Sequence, residues 1–164
     1  MNDELRAWWG DPDLKARVVA KMKQHRAQDE FIQGDYQRTY GPDEAATYKG
    51  CAIGCTLPYL SREEMKRRAD PETNEFNWHK EVENEYGISR TVARLIDNAF
   101  EAHDDFESAG DFAVAVIEAI PVGADLSGIA CVNQTCGQCL DCTTYVEEHP
   151  DQFIELLAKA PVPE

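Results

Sequence analysis

The chain has 164 residues and a formal net charge of −15, with 43% hydrophobic and 9% aromatic content. That length builds one real hydrophobic core and leaves little room for a second, and the apolar content excludes a disordered chain. The charge argues against direct binding to nucleic-acid phosphates, which needs basic neutralisation, and the longest apolar run, Phe112 to Ile117, is far too short to span a membrane.

The start, Met1 to Arg6, has no apolar h-region, so no secretory leader is expected and the reading is a cytoplasmic protein. In a reducing compartment its six cysteines stand as free thiols or metal ligands rather than disulfides. The charge is unevenly spread. Residues 1–100 hold 15 Lys and Arg against 18 Asp and Glu, whereas residues 101–164 hold only Lys159 against 13. This acidic C-terminal half reads as a solvated surface, or as one that docks on a basic partner protein.

In chain order, Trp8-Trp9-Gly10 reads as an aromatic plug on the core, with an exposed recognition patch as the alternative. Asp11-Pro12-Asp13 opens a helix: Asp11 caps, Pro12 takes the first helical position and Asp13 suits the dipole. Leu14, Val18, Met22 and His25 follow at helical spacing, and Gly34 is a natural stop for a helix of about twenty residues. Its outer face carries Lys15, Arg17, Lys21, Lys23 and Arg26, for which the acidic half is an intramolecular partner. Residues 35–49, around the Gly41-Pro42-Asp43 turn, form a small hairpin or an ordered loop.

A short helix follows over Cys51 to Leu57, ended by Pro58, and Ser61 opens another through Arg68. Trp78 to Tyr86 is helical and stopped by Gly87. Ser89 caps the clearest amphipathic helix, with Val92, Leu95, Ile96, Ala99 and Phe100 on one face. Its charges oppose the macrodipole, with Arg90 and Arg94 near the start and Glu101, Asp104 and Asp105 near the end, a violation that can mark a contact surface. Asp111 reads as the cap of the next helix, which Pro121 ends. A box at Thr144 to Glu147 and a stripe of Phe153, Leu156, Leu157 and Ala160 close the chain. No period-two alternation and no internal repeat appear, so the expected fold is all-α, a single domain of six to eight helices.

The least generic stretch is Tyr48 to Leu57. If it is helical, Gly50 and Gly54 share one row and Cys51 and Cys55 the row beside it. The row offers close packing to another backbone, and a helix N-terminus would lower a thiol pKa and make Cys51 metal-ready. An ideal helix does not bring cysteines four apart into disulfide range. Joint chemistry there would be metal ligation with outside ligands, for which His25 and His79 are the candidates, with Asp29 one turn after His25.

The phrases Lys49-Gly50-Cys51-Ala52-Ile53-Gly54-Cys55-Thr56, Tyr86-Gly87-Ile88, Ala93-Arg94-Leu95-Ile96-Asp97, Phe100-Glu101 and Ile120 to Leu126 resemble a family of small bacterial and phage-encoded proteins. His25, Asp29, Gly34 and Tyr36 fit the same pattern, so the likeness covers about residues 25–127. It implies a helical fold and a bacterial or phage origin. It carries over no catalytic residue, and it does not extend to the later cysteines.

Those are Cys131, Cys136, Cys139 and Cys142, in a C-x4-C-x2-C-x2-C array. Four thiolates suit zinc or an iron–sulfur cluster. On a continuous helix the outer two would lie about 16 Å apart, so a shared site needs a loop, which Asn133, Gln134, Thr135 and Gly137 permit. The array reads as a metal or cluster site, as a reversible disulfide, or as small apolar residues in a helix. Catalytic triad patterns, P-loops, Rossmann glycines and H-E-x-x-H are absent. Two functions stand: a metal- or thiol-linked helical protein, and a non-enzymatic protein that docks its acidic half on a basic partner, in the style of phage-encoded inhibitors.

Overall fold

Most of the predicted helices begin where a side chain satisfies one of the first free N–H groups; the last, at Pro150, has no such cap. In the computed structural model, which describes residues 4–39, 48–130 and 145–164, α1 spans Pro12–Ala27 with the Asp11 side chain accepting from the Asp13 N–H. The next helices are α2 (Ala52–Thr56) and α3 (Arg62–Arg68). Ser61 caps α3 by accepting from Glu64. α4 (Trp78–Tyr86) is capped by Asn77 and stopped by Gly87, which adopts the left-handed conformation at φ 67°. Ser89 caps α5 (Arg90–Glu101). α6 (Phe106–Ala119) and α7 (Pro150–Ala158) complete the set, with residues 145–148 also helical. The chain is predominantly all-α, as expected. No helix among the described residues is long and apolar enough to cross a membrane.

Three local expectations are corrected. Helix α1 ends at Ala27 and does not run on to Gly34, because Asp29 turns the chain at φ 53°, a left-handed conformation that Asp tolerates better than most residues. The cap of α6 is Asp105, accepting from Ser108, whereas Asp111 lies inside the helix and bonds Arg26. The two tryptophans separate: Trp8 is fully buried, and its indole donates to the Ile120 carbonyl. Trp9 is 44% exposed and donates to the Asn84 carbonyl. Both take positive φ, 61° and 49°, so a left-handed turn swings the indoles to different places.

The flanks of the predicted Gly41-Pro42-Asp43 turn, which itself lies outside the described residues, pair as two short strands. β1 (Arg38–Thr39) pairs antiparallel with β2 (Tyr48–Lys49), Arg38 opposite Lys49. The central helix is α5, which packs on α2, α4 and α6, while α1 covers α6 and α2. Val92, Leu95, Ile96, Ala99 and Phe100 are all buried in one hydrophobic cluster, as their spacing predicts. The basic face of α1 meets the acidic half. Lys23 lies 3.4 Å from Glu118, and Arg26 pairs with Asp111 at 2.6 Å and Glu107 at 3.5 Å.

Candidate functional site

The glycine row receives a loop, not a helix. Gly50 precedes α2, and a Cβ built on Gly50 or on Gly54 would overlap the carbonyl oxygen of Tyr36. The bare surface therefore seats the segment 31–37, which ties α2 to α5 through a series of bonds. The Gln33 amide donates to the carbonyls of Phe100, Glu101 and His103, closing the C-terminus of α5. The Gly34 N–H donates to both Glu101 carboxylate oxygens, at 3.0 and 3.2 Å. The Cys51 N–H donates to the Asp35 carbonyl at 2.9 Å. Gln37 holds α2, donating to the Gly54 and Pro58 carbonyls.

This stitching brings together three donor groups. The Cys51 sulfur, an Asp97 oxygen and a Glu101 oxygen lie within 4.8 Å of one another. They line a cleft of about 250 Å³ together with Gly34, Asp35 and Tyr36. Cys51 is 1% exposed and is the N-cap of α2, its sulfur accepting from the Gly54 N–H at 3.5 Å. Asp97 and Glu101 stand one turn apart on α5, on the same face.

Asp97 is held from outside. Tyr36 Oη donates to its Oδ2 at 3.0 Å, and His79 Nε2 lies 2.9 Å from the same oxygen. The Tyr36 ring stacks on Trp78 with centroids 5.0 Å apart, fixing the phenol's direction. Such partners are what orients a ligating carboxylate in metal sites.

The electrostatics run against a thiol pKa lowered by the helix N-terminus. Burial pushes the Cys51 pKa up to about 12, and the Asp97 charge adds to it, outweighing the N–H groups of Gly54 and Ile53. Burial raises Glu101 too, with Asp97 and Asp35 in support and the Gly34 N–H opposing. Three groups that each become anionic, crowded beside buried structure, resist joint ionisation. A cation among them removes that resistance.

Of the other predicted site residues, Cys55 is fully buried, and burial lifts its thiol well above the ordinary value. His79 reaches the site through Asp97. His25 does not: it lies 3.4 Å from Glu30 and packs on Phe31 and Tyr48, and burial lowers its pKa. Asp29 is exposed, 3.4 Å from Arg26. Cys131, Cys136, Cys139 and Cys142 lie outside the described residues. Sequence reasoning did not single out Asp97, Glu101 or Tyr36 as a site. The signal was a carboxylate pair four apart whose second member sits at the wrong end of the α5 dipole.

Comparisons with protein families, with curated proteins and with solved structures return no match.

Proposed function

We propose that the chain is a metal-linked helical protein whose ion is held by Cys51, Asp97 and Glu101. The observation that carries this reading is the convergence of one thiol and two carboxylates within 4.8 Å. Ordinary zinc bonds of about 2.0–2.3 Å put tetrahedral donors about 3.5 Å apart, so closing the site takes movements of about 1 Å. The thiolate favours a borderline-soft ion such as zinc over magnesium or calcium, and the carboxylates favour it over a purely thiophilic ion. Asp97 arrives oriented by Tyr36 and His79, which supports a built site over a chance cluster.

The test is metal analysis of anaerobically purified protein, followed by cobalt titration. Cobalt at this site gives a thiolate-to-metal band that Cys51→Ser abolishes and that Asp97→Asn and Glu101→Gln weaken. Protein that binds no cobalt through Cys51 defeats the reading. An ion held by Cys131, Cys136, Cys139 and Cys142, as zinc or an iron–sulfur cluster, survives Cys51→Ser and is lost when those four become Ser.

A second reading is a non-enzymatic protein that docks its acidic half on a basic partner. One observation favours it: Glu147, Glu148, Asp151 and Glu155 are exposed and carry no ion pair among the described residues. Capture of a basic partner that weakens steadily as salt rises supports this reading, and salt-insensitive capture counts against it.

A further inference from the structure

Beside the three donor groups, the cleft limits by its space and charge what else could reach an ion there. Tyr36 Oη and His79 Nε2 are both committed to the same oxygen of Asp97, at 3.0 and 2.9 Å. Neither can become a ligand without giving up that bond. Among the described residues three donors therefore converge, and a tetrahedral ion with three protein donors keeps its fourth position for an exchangeable group. The cleft in front of them holds about 250 Å³. One liquid water takes about 30 Å³, so the cleft admits a small donor molecule as readily as solvent.

Charge selects among such molecules. One thiolate and two carboxylates over-neutralise a divalent ion, leaving the centre net negative. Asp35, in the same wall, adds a further carboxylate whose charge is offset by Arg38. Among the cleft-lining residues Gly34, Asp35, Tyr36, Cys51, Asp97 and Glu101 there is no cation. A small anion approaching the fourth position meets repulsion from this net negative centre, whereas an uncharged nitrogen donor meets none.

Resting on that metal reading, we propose that the fourth position binds small uncharged nitrogen donors of the imidazole class and excludes small anions. The experiment uses the full chain loaded with cobalt. The spectrum of the Cys51→Ser variant is subtracted from that of the wild type, so that only the Cys51-dependent bands are followed. Circular dichroism checks that the variant folds, and Cys51→Ala serves as the second reference if it does not. Imidazole and, separately, azide are titrated at equal concentrations.

The expected result is a saturable shift of the Cys51-dependent bands with imidazole and no shift with azide. Bands that stay unmoved with imidazole mean a closed coordination shell and overturn the proposal. Bands that vanish with imidazole mean the ion is stripped, not ligated, and overturn it too. An azide shift as large as that with imidazole overturns the charge argument. If no Cys51-dependent band forms at all, the metal reading itself fails, which separates that failure from the others.

Discussion

The carbonyl oxygen of Tyr36 occupies the space where a Cβ on Gly54 would stand. This contact joins the two halves of the site, because the same tyrosine carries the phenol that holds Asp97. A methyl group at Gly54 must push the segment 31–37 away from α2. Gly54→Ala is expected to destabilise by about 1–3 kcal/mol or more through overpacking against backbone that cannot rotate aside. Urea denaturation measures it. A Gly54→Ala protein of unchanged stability would show that the loop yields freely, and the close seating of Tyr36 would lose its meaning.

Tyr36→Phe removes the hydroxyl and keeps the ring that stacks on Trp78. The lost hydrogen bond is expected to cost about 1 kcal/mol of stability. Metal affinity should fall by about 10–100-fold, the usual effect of losing an outer-shell partner. Competition with a chelator reads the affinity directly. Equal affinity in wild type and Tyr36→Phe would mean that Asp97 needs no orientation by the phenol.

Most of the helices were legible, and the site was not. Ser61, Ser89 and Asp11 cap helices where their positions predict it, because an N-cap acts on N–H groups two or three residues away and leaves a local trace. The burial of Leu95 and its row follows from periodicity alone. Asp105 and Asp111 both carry a cap's chemistry, and the bond from the Ser108 N–H to Asp105 decides between them. The glycine row reads in sequence as a bare surface for a packed helix, and nothing local says that the Tyr36 loop lies against it. Asp97 and Glu101 are two among 31 acidic residues; both fall in the phrases that carry the resemblance, but it is the fold that sets Cys51 against them.

Leu95 is 1% exposed at the centre of α5. Its truncation to Ala removes packing against the surrounding helices, which a bundle of this kind fills only partly by relaxing. The expected loss is about 2–5 kcal/mol, read from chemical denaturation. A loss below 1 kcal/mol would mean that the core around α5 is loosely packed.

The thiols of Cys51 and Cys55 should be unreactive in the folded, metal-free protein. Burial raises both pKa values, that of Cys51 to about 12, so the thiolate is scarce near neutral pH. A brief iodoacetamide pulse with peptide mapping distinguishes them from the later cysteines. The expected map shows both unlabelled in native protein and labelled after denaturation. Rapid labelling of Cys51 in the native state would mean that the helix N-terminus outweighs burial and the Asp97 charge.

Lys21 gives a pH dependence with a definite sign. Its ammonium donates to the Leu57 carbonyl and sits over the Tyr48 ring. Burial lowers its pKa from 10.5 to about 8, with Cys55 opposing. Below about 8 both the folded and unfolded chains hold the proton, and the folded state bears the full penalty of a buried charge. Between about 8 and 10.5 the unfolded chain still holds the proton while the folded one has lost it. Stability from this group therefore rises with pH across that window, by at most about 1.4 kcal/mol per unit. Cys55, Tyr48 and Tyr86 act oppositely: their raised pKa values make the folded state hold protons that the unfolded state loses, so they reduce stability as pH climbs. The difference between wild type and Lys21→Met cancels most of that shared decline. Denaturation of both proteins at several pH values through the window should show the wild type gaining on the variant. Parallel curves would mean that Lys21 reaches water and keeps its ordinary pKa.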